Sequence, residues 1–112
     1  MTEPSIKYWS DIVTAIDGIM SFTEGIDSLN GYVSDWKTRS SVERQLAIIG
    51  EAVRHLQRLD PSLDLQDAKD IVGMRNRLIH SYDNVDDKIV WQVVRLDLPK
   101  LRAVALTHLP PE

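Results

Sequence analysis

The chain has no cysteine, which excludes disulfides, thiolate metal sites and thiol nucleophiles. It holds one phenylalanine and only five glycines and five prolines in 112 residues, so it is not a linker, a fibrous repeat or a low-complexity segment. No apolar run approaches the roughly 18 residues that suggest a membrane span. The start, Met1-Thr2-Glu3-Pro4-Ser5, lacks the basic residues and apolar stretch of a secretory signal. A cytoplasmic protein without membrane attachment is the expectation. No run alternates polar and apolar residues long enough to predict a strand. Positive charge is also scarce: 13 Lys and Arg against 17 Asp and Glu leave a net charge of -4. Proteins that coat nucleic acid by charge neutralise many phosphates with many cations, so any RNA contact here must be local.

What is present is 43% hydrophobic and 27% charged residues, the balance of a folded globule. The length suits one domain over residues 1–112, burying well over half of its unfolded surface, with residues 107–112 as a tail. Ile6, Trp9, Ile12, Val13, Ile16, Ile19 and Met20 recur at helical spacing, with Ser5 placed to cap the run and Gly25 to end it. The pattern breaks at Ser28-Leu29-Asn30-Gly31. Val42, Leu46, Ile49, Val53 and Leu56 then form one face of a second helix, closed by Asp60-Pro61. Two starts fit it: a capping box at Ser40-Ser41-Val42-Glu43, or an earlier turn capped by Asp35.

A third helix is expected from Asp64 and Asp67 through Leu65, Ala68, Ile71, Val72, Leu78 and Ile79 to about His80–Asp83. Asp86 is placed to cap a fourth, whose buried side is Ile89, Val90, Val93, Val94, Leu96 and Leu98. Pro99 has no N–H and collides with the carbonyl of Arg95, so the last helix kinks or restarts there. Pro110-Pro111 ends it. Gly50 and Gly73 interrupt helices at about 1 kcal/mol each relative to alanine; they either permit close helix approach or are tolerated. The whole reads as all-α, a small bundle of four or five helices.

The chemistry is concentrated in Gly73-Met74-Arg75-Asn76-Arg77-Leu78-Ile79-His80-Ser81-Tyr82. A guanidinium offers a phosphate a fixed fork of donors, and an imidazole moves protons near neutral pH. Together they suggest phosphodiester cleavage. Attack by a ribose 2′-OH needs a base, an acid for the leaving 5′-oxygen, and donors facing the charge that grows on phosphorus. One His80 is one imidazole short. On a helix, Arg75 and His80 lie about 140° apart, so they do not share a face. A twofold dimer meets both needs by bringing two copies of His80 and Arg75 to one groove. Asn76 is suited to orient the phosphate or His80, and Tyr82 to hydrogen-bond it. Equally, His80 suits a structural role, Arg75 and Arg77 suit a helix C-terminus, and Tyr82 suits a core edge.

Other candidates are weaker. Glu51 and His55 stand four apart on one helical face, but two ligands make a poor metal site; Glu51 also suits a contact with Arg75 or a plain exposed position. The cations Lys37, Arg39, Arg44, Arg54 and Arg58 read as a solvated face. His108 sits in the expected tail. Trp9, Trp36 and Trp91 suit core or interface anchors better than base-stacking platforms.

The run from Gly73 to Tyr82 resembles the Arg-x4-His-x-Tyr signature of the HepT-like branch of the HEPN superfamily, the toxin partners of MNT-type minimal nucleotidyltransferases. Ile48-Ile49-Gly50-Glu51-Ala52 resembles that branch's second helix, and Val85-Asp86, Val90-Trp91 and Asp97-Leu98-Pro99 its closing helix. Ser81 stands where many relatives have glycine. The resemblance implies a toxin of a type VII-like toxin–antitoxin system: a metal-independent endoribonuclease with no cofactor, dimeric, with Arg75 and His80 as the catalytic pair and Asn76 as their polar companion. It implies that the nucleotidyltransferase antitoxin silences the toxin by transferring AMP to Tyr82, and that the two assemble together. A non-catalytic nucleotide-binding or scaffolding partner is the alternative within the same superfamily.

Overall fold

The computed structural model describes residues 3–65, 71–73 and 86–111. Helix α1, Glu3–Phe22, carries the predicted face inward: Trp9, Ile12, Ile16 and Ile19 are fully or almost fully buried. Each such side chain stabilises the fold by about 1.5–3 kcal/mol through burial. Met20, expected on the same face, is exposed, because the helix outruns its partner there. The hydroxyl of Thr23 then donates to the Ile19 carbonyl at 2.8 Å, and the chain reverses through Gly25 at φ 86°. That left-handed backbone is cheap only for glycine.

The break at Ser28 contains a short helix that hydrophobic spacing did not reveal. In α2, Leu29–Val33, the Ser28 hydroxyl accepts from the Gly31 N–H at 3.1 Å, which caps the turn. Its purpose in packing is Tyr32, which is completely buried and stacks on Trp91 at 5.3 Å. The long helix α3, Trp36–Leu59, resolves the two candidate starts in favour of Asp35: its carboxylate accepts from the backbone N–H and the hydroxyl of Thr38 at 3.1 and 2.8 Å. Val42, Leu46, Ile49, Gly50, Val53 and Leu56 form its buried stripe. Trp36 is 66% exposed, so it anchors nothing within the chain.

Of the expected third helix, Leu65 and Ile71 are buried, Val72 packs on the core and residues 71–73 are helical. Its remaining positions, including Asp67, Ala68, Leu78 and Ile79, lie outside the described residues. Gly73 does not serve close approach to any described residue, since an added Cβ would meet nothing within 4 Å. The chain returns at Asp86, whose carboxylate accepts from the Lys88 N–H at 2.9 Å and caps α4, Asp87–Gln92. Val93–Asp97 then winds as a π-helix, in which the N–H of Leu98 reaches back to the carbonyl of Val93. Helix α5, Leu98–Thr107, restarts with Pro99 in its first turn, where a missing N–H costs nothing. The expected break is thus a widening of the helix. Ile89 and Leu96, expected to be buried, are exposed, whereas Val90, Val93, Val94 and Leu98 point inward.

Helix α1 lies along α3 and α5, and α2 wedges between α3 and α4. Arg102 of α5 clasps Asp17 of α1 at 2.7 Å. His108 is not loose: its ring lies on Trp9 at 4.2 Å and 6°. The fold is all-α, and no strand occurs among the described residues.

Candidate functional site

Arg75, Asn76, His80 and Tyr82 all lie outside the described residues. The structure does define the two ends from which their segment hangs. On one side Ile71 is fully buried. On the other, Asp86 is tied into the start of α4, and Asp87 is bound by Arg39 of α3 through an Nη1–Oδ2 contact of 3.1 Å. This pair is 33% and 23% exposed, so water screens it less than a surface pair.

Around Arg39 and Asp87 stand two further polar groups. Burial raises the Glu43 carboxyl above the ordinary carboxylate range, and the nearby charge of Asp87 adds to the effect while Arg39 opposes it. The Tyr32 phenol is pushed well above its usual range by burial, then by Glu43 and Asp87. Its hydroxyl and the Nε of Arg39 are both buried without a hydrogen-bond partner. Sequence reading had Arg39 on a solvated face; only the tertiary pairing with Asp87, 48 residues away, reveals otherwise.

A groove of about 320 Å³ runs between α1 and α3. The rings of Tyr8 and His55 lie parallel within 6° at 4.7 Å across it, over apolar Ile48 and Ala52. The Glu51–His55 pair makes an internal contact, Nε2 to Oε1 at 3.2 Å. Lys7 binds Asp11 at 2.9 Å, which helps keep its ammonium charged. Both pairs are four apart and legible in the sequence, but the meeting of Tyr8 with His55 is tertiary. Among the described residues no group of three or more His, Cys, Asp or Glu side chains comes together to hold a metal ion, and no helix is long and apolar enough to cross a membrane.

A second cleft, about 520 Å³, lies between the Gly25 turn and the π-helical segment, bordered by Thr23, Glu24, Asp27, Arg95 and Pro99. It has neither an imidazole nor a placed nucleophile beyond Thr23, whose hydroxyl is already committed to Ile19. It carries no argument for catalysis.

Comparison with known proteins speaks to the chain as a whole. A family model described as ribonuclease HepT-like matches residues 12–107. A protein of Thermococcus cleftensis named probable ribonuclease HepT is 36% identical over 99 residues, covering 85% of this chain and 86% of its own. A Methanocaldococcus jannaschii protein provisionally named an RNase is 34% identical over 109 residues, covering 91% of this chain and 94% of its own. Another from the same organism, also provisionally named an RNase, is 30% identical over 98 residues, covering 82% and 79%. No solved structure matches. With a family model spanning most of the helical bundle and relatives similar along nearly their whole length, the chain belongs to the HepT-like ribonuclease family.

Proposed function

We propose that this chain is an endoribonuclease that cuts RNA without a metal ion, acting inside the cell as the toxin of a toxin–antitoxin pair. The observation that carries the reading is the match to a ribonuclease family across residues 12–107, in a chain where Arg75 is followed at the family spacing by His80 and Tyr82. In the proposed site two protomers each supply one set. One His80 takes the proton of the ribose 2′-OH. The oxygen attacks phosphorus, and the second His80 protonates the departing 5′-oxygen, leaving a 2′,3′-cyclic phosphate. The Arg75 pair holds the non-bridging oxygens as charge builds on them, and Asn76 orients the phosphate or an imidazole.

Tyr82 is the proposed point of control. A partner nucleotidyltransferase transfers AMP to its phenol, and the added phosphate and nucleoside occupy the space beside Arg75 that RNA requires. Inhibition then needs no unfolding. Intact mass after co-expression with a neighbouring nucleotidyltransferase should show one added AMP, lost on Tyr82→Phe; an unchanged mass removes this mechanism.

The nuclease is tested by incubating the unmodified protein with RNA and a chelator. Cleavage should persist, with cyclic phosphate ends, and His80→Ala should lower the rate by at least about a hundredfold, the low end for loss of a general acid or base. If His80→Ala cuts as fast as its parent, His80 has no catalytic role. If the unmodified protein cuts nothing, a nucleotide-binding or scaffolding role replaces the nuclease.

A further inference from the structure

The groove between α1 and α3 is built unlike a phosphate site. Against the single ammonium of Lys7 stand the carboxylates of Asp11 and Glu51, and the floor is apolar. What the groove offers is a flat surface, the half-buried parallel rings of Tyr8 and His55, edged by groups held in fixed ion pairs. Its volume of about 320 Å³ is at the small end for ligand sites, roughly 300–1,000 Å³. One planar heterocycle with its sugar fits that size.

We propose that this groove is a nucleobase subsite, where a base of single-stranded RNA continues the Tyr8–His55 stack and a carboxylate beside Lys7 reads its edge. The proposal rests on the ribonuclease reading for its source of RNA. A base is uncharged, so a groove with balanced or negative lining accepts it while the flanking phosphates stay at the rim. Such a contact suits a chain whose net charge of -4 argues against holding RNA by phosphate neutralisation. Aromatic side chains carry single-strand recognition because every base has a face that stacks.

The edge chemistry favours guanine. Its adjacent ring N–H and amino group donate side by side to one carboxylate, and its O6 accepts from an ammonium. Lys7 Nζ and Asp11 Oδ2, 2.9 Å apart, present that donor and acceptor together. Uracil offers one N–H between two carbonyls and leaves the carboxylate less well matched.

The test uses the whole protein and fluorescein-labelled 2′-O-methyl oligoribonucleotides, which lack the attacking hydroxyl and cannot be cut. A single guanine in a uridine tract should tighten binding about tenfold over the same oligonucleotide with an abasic residue at that position. Tyr8→Leu should erase the difference while its helix content and melting stay near the parent's. Lys7→Met, at an exposed position, should keep the abasic penalty and lose the preference for guanine over uracil.

An abasic penalty that survives Tyr8→Leu overturns the proposal, as does the absence of any penalty in the parent. Should Tyr8→Leu not fold, Lys7→Met decides: an undiminished guanine preference overturns the assignment. Cleavage is measured separately on unmodified RNA. A protein that cuts RNA but shows no abasic penalty keeps its nuclease reading and loses this subsite; one that binds through Tyr8 and cuts nothing does the reverse.

Discussion

Glu43 shows how a single side chain can work against the fold that contains it. Because burial raises its folded-state pKa above the unfolded value, the native state holds this proton to higher pH than the unfolded chain does. Stability contributed by that proton is present at low pH and lost as pH rises through the folded pKa. At neutral pH the ionised carboxylate is therefore a cost. Glu43→Gln should raise the melting temperature at pH 7, with the gain shrinking as pH falls to the ordinary carboxylate range near 4. A lower melting temperature at pH 7 would contradict the arrangement around Asp87. Arg39→Met should act oppositely, costing about 1–2 kcal/mol in denaturant unfolding, because it leaves two partly buried acids without their cation. None of this was legible in the sequence. The chemistry of Arg75 and His80 was, since it depends on residue type and spacing within one run, whereas the Arg39 environment exists only after α2, α3 and α4 meet.

At the scale of elements, the helices declared themselves where a local rule decides. Asp35, Ser28 and Asp86 each accept a backbone N–H at a helix start, and such residues favour that position wherever they occur. Asp35→Ala should destabilise the protein by about 1 kcal/mol in chemical unfolding, while Ser40→Ala, inside α3 and not at its start, should change it little. The start of α3 was ambiguous because two capping signals stood five residues apart, and only the packing of α2 against α3 favours the earlier one. The buried side of α4 was misjudged at Ile89 and Leu96 for a different reason. Regular α-helical spacing was assumed through Val93–Asp97, and the π turns change which residues share a face.

For the molecule as a whole, family membership and the all-helical bundle stand on the sequence comparisons and the fold together. The core is conventional: Leu46→Ala, at a fully buried position, should cost about 2–5 kcal/mol in denaturant unfolding. The proposed composite site makes a sharper prediction. If both imidazoles of a dimer are needed, mixing wild-type and His80→Ala protein, with exchange of protomers, should lower activity as the square of the wild-type fraction. A linear fall would mean that each protomer works alone, and a strict monomer in solution mass measurement would leave each site one imidazole short. The pairing was inferred from a proton count, and whole-molecule measurements are the level at which it is decided.

The wide turn at Val93–Asp97 sets the phase of everything after it. Adjacent Val93 and Val94 both face the core, and Leu98, Leu101 and Ala105 still fall inward beyond them, because the loosened winding absorbs the odd residue. Deleting one residue there, such as exposed Leu96, would restore ordinary winding but rotate the remaining helix by about 100°. Arg102 would swing away from Asp17 and His108 from Trp9, undoing the latch between the first helix and the last. A fault in helical regularity is thus what keeps the two ends of the bundle in register, and length changes should be far better tolerated at the Gly25 turn than in this segment.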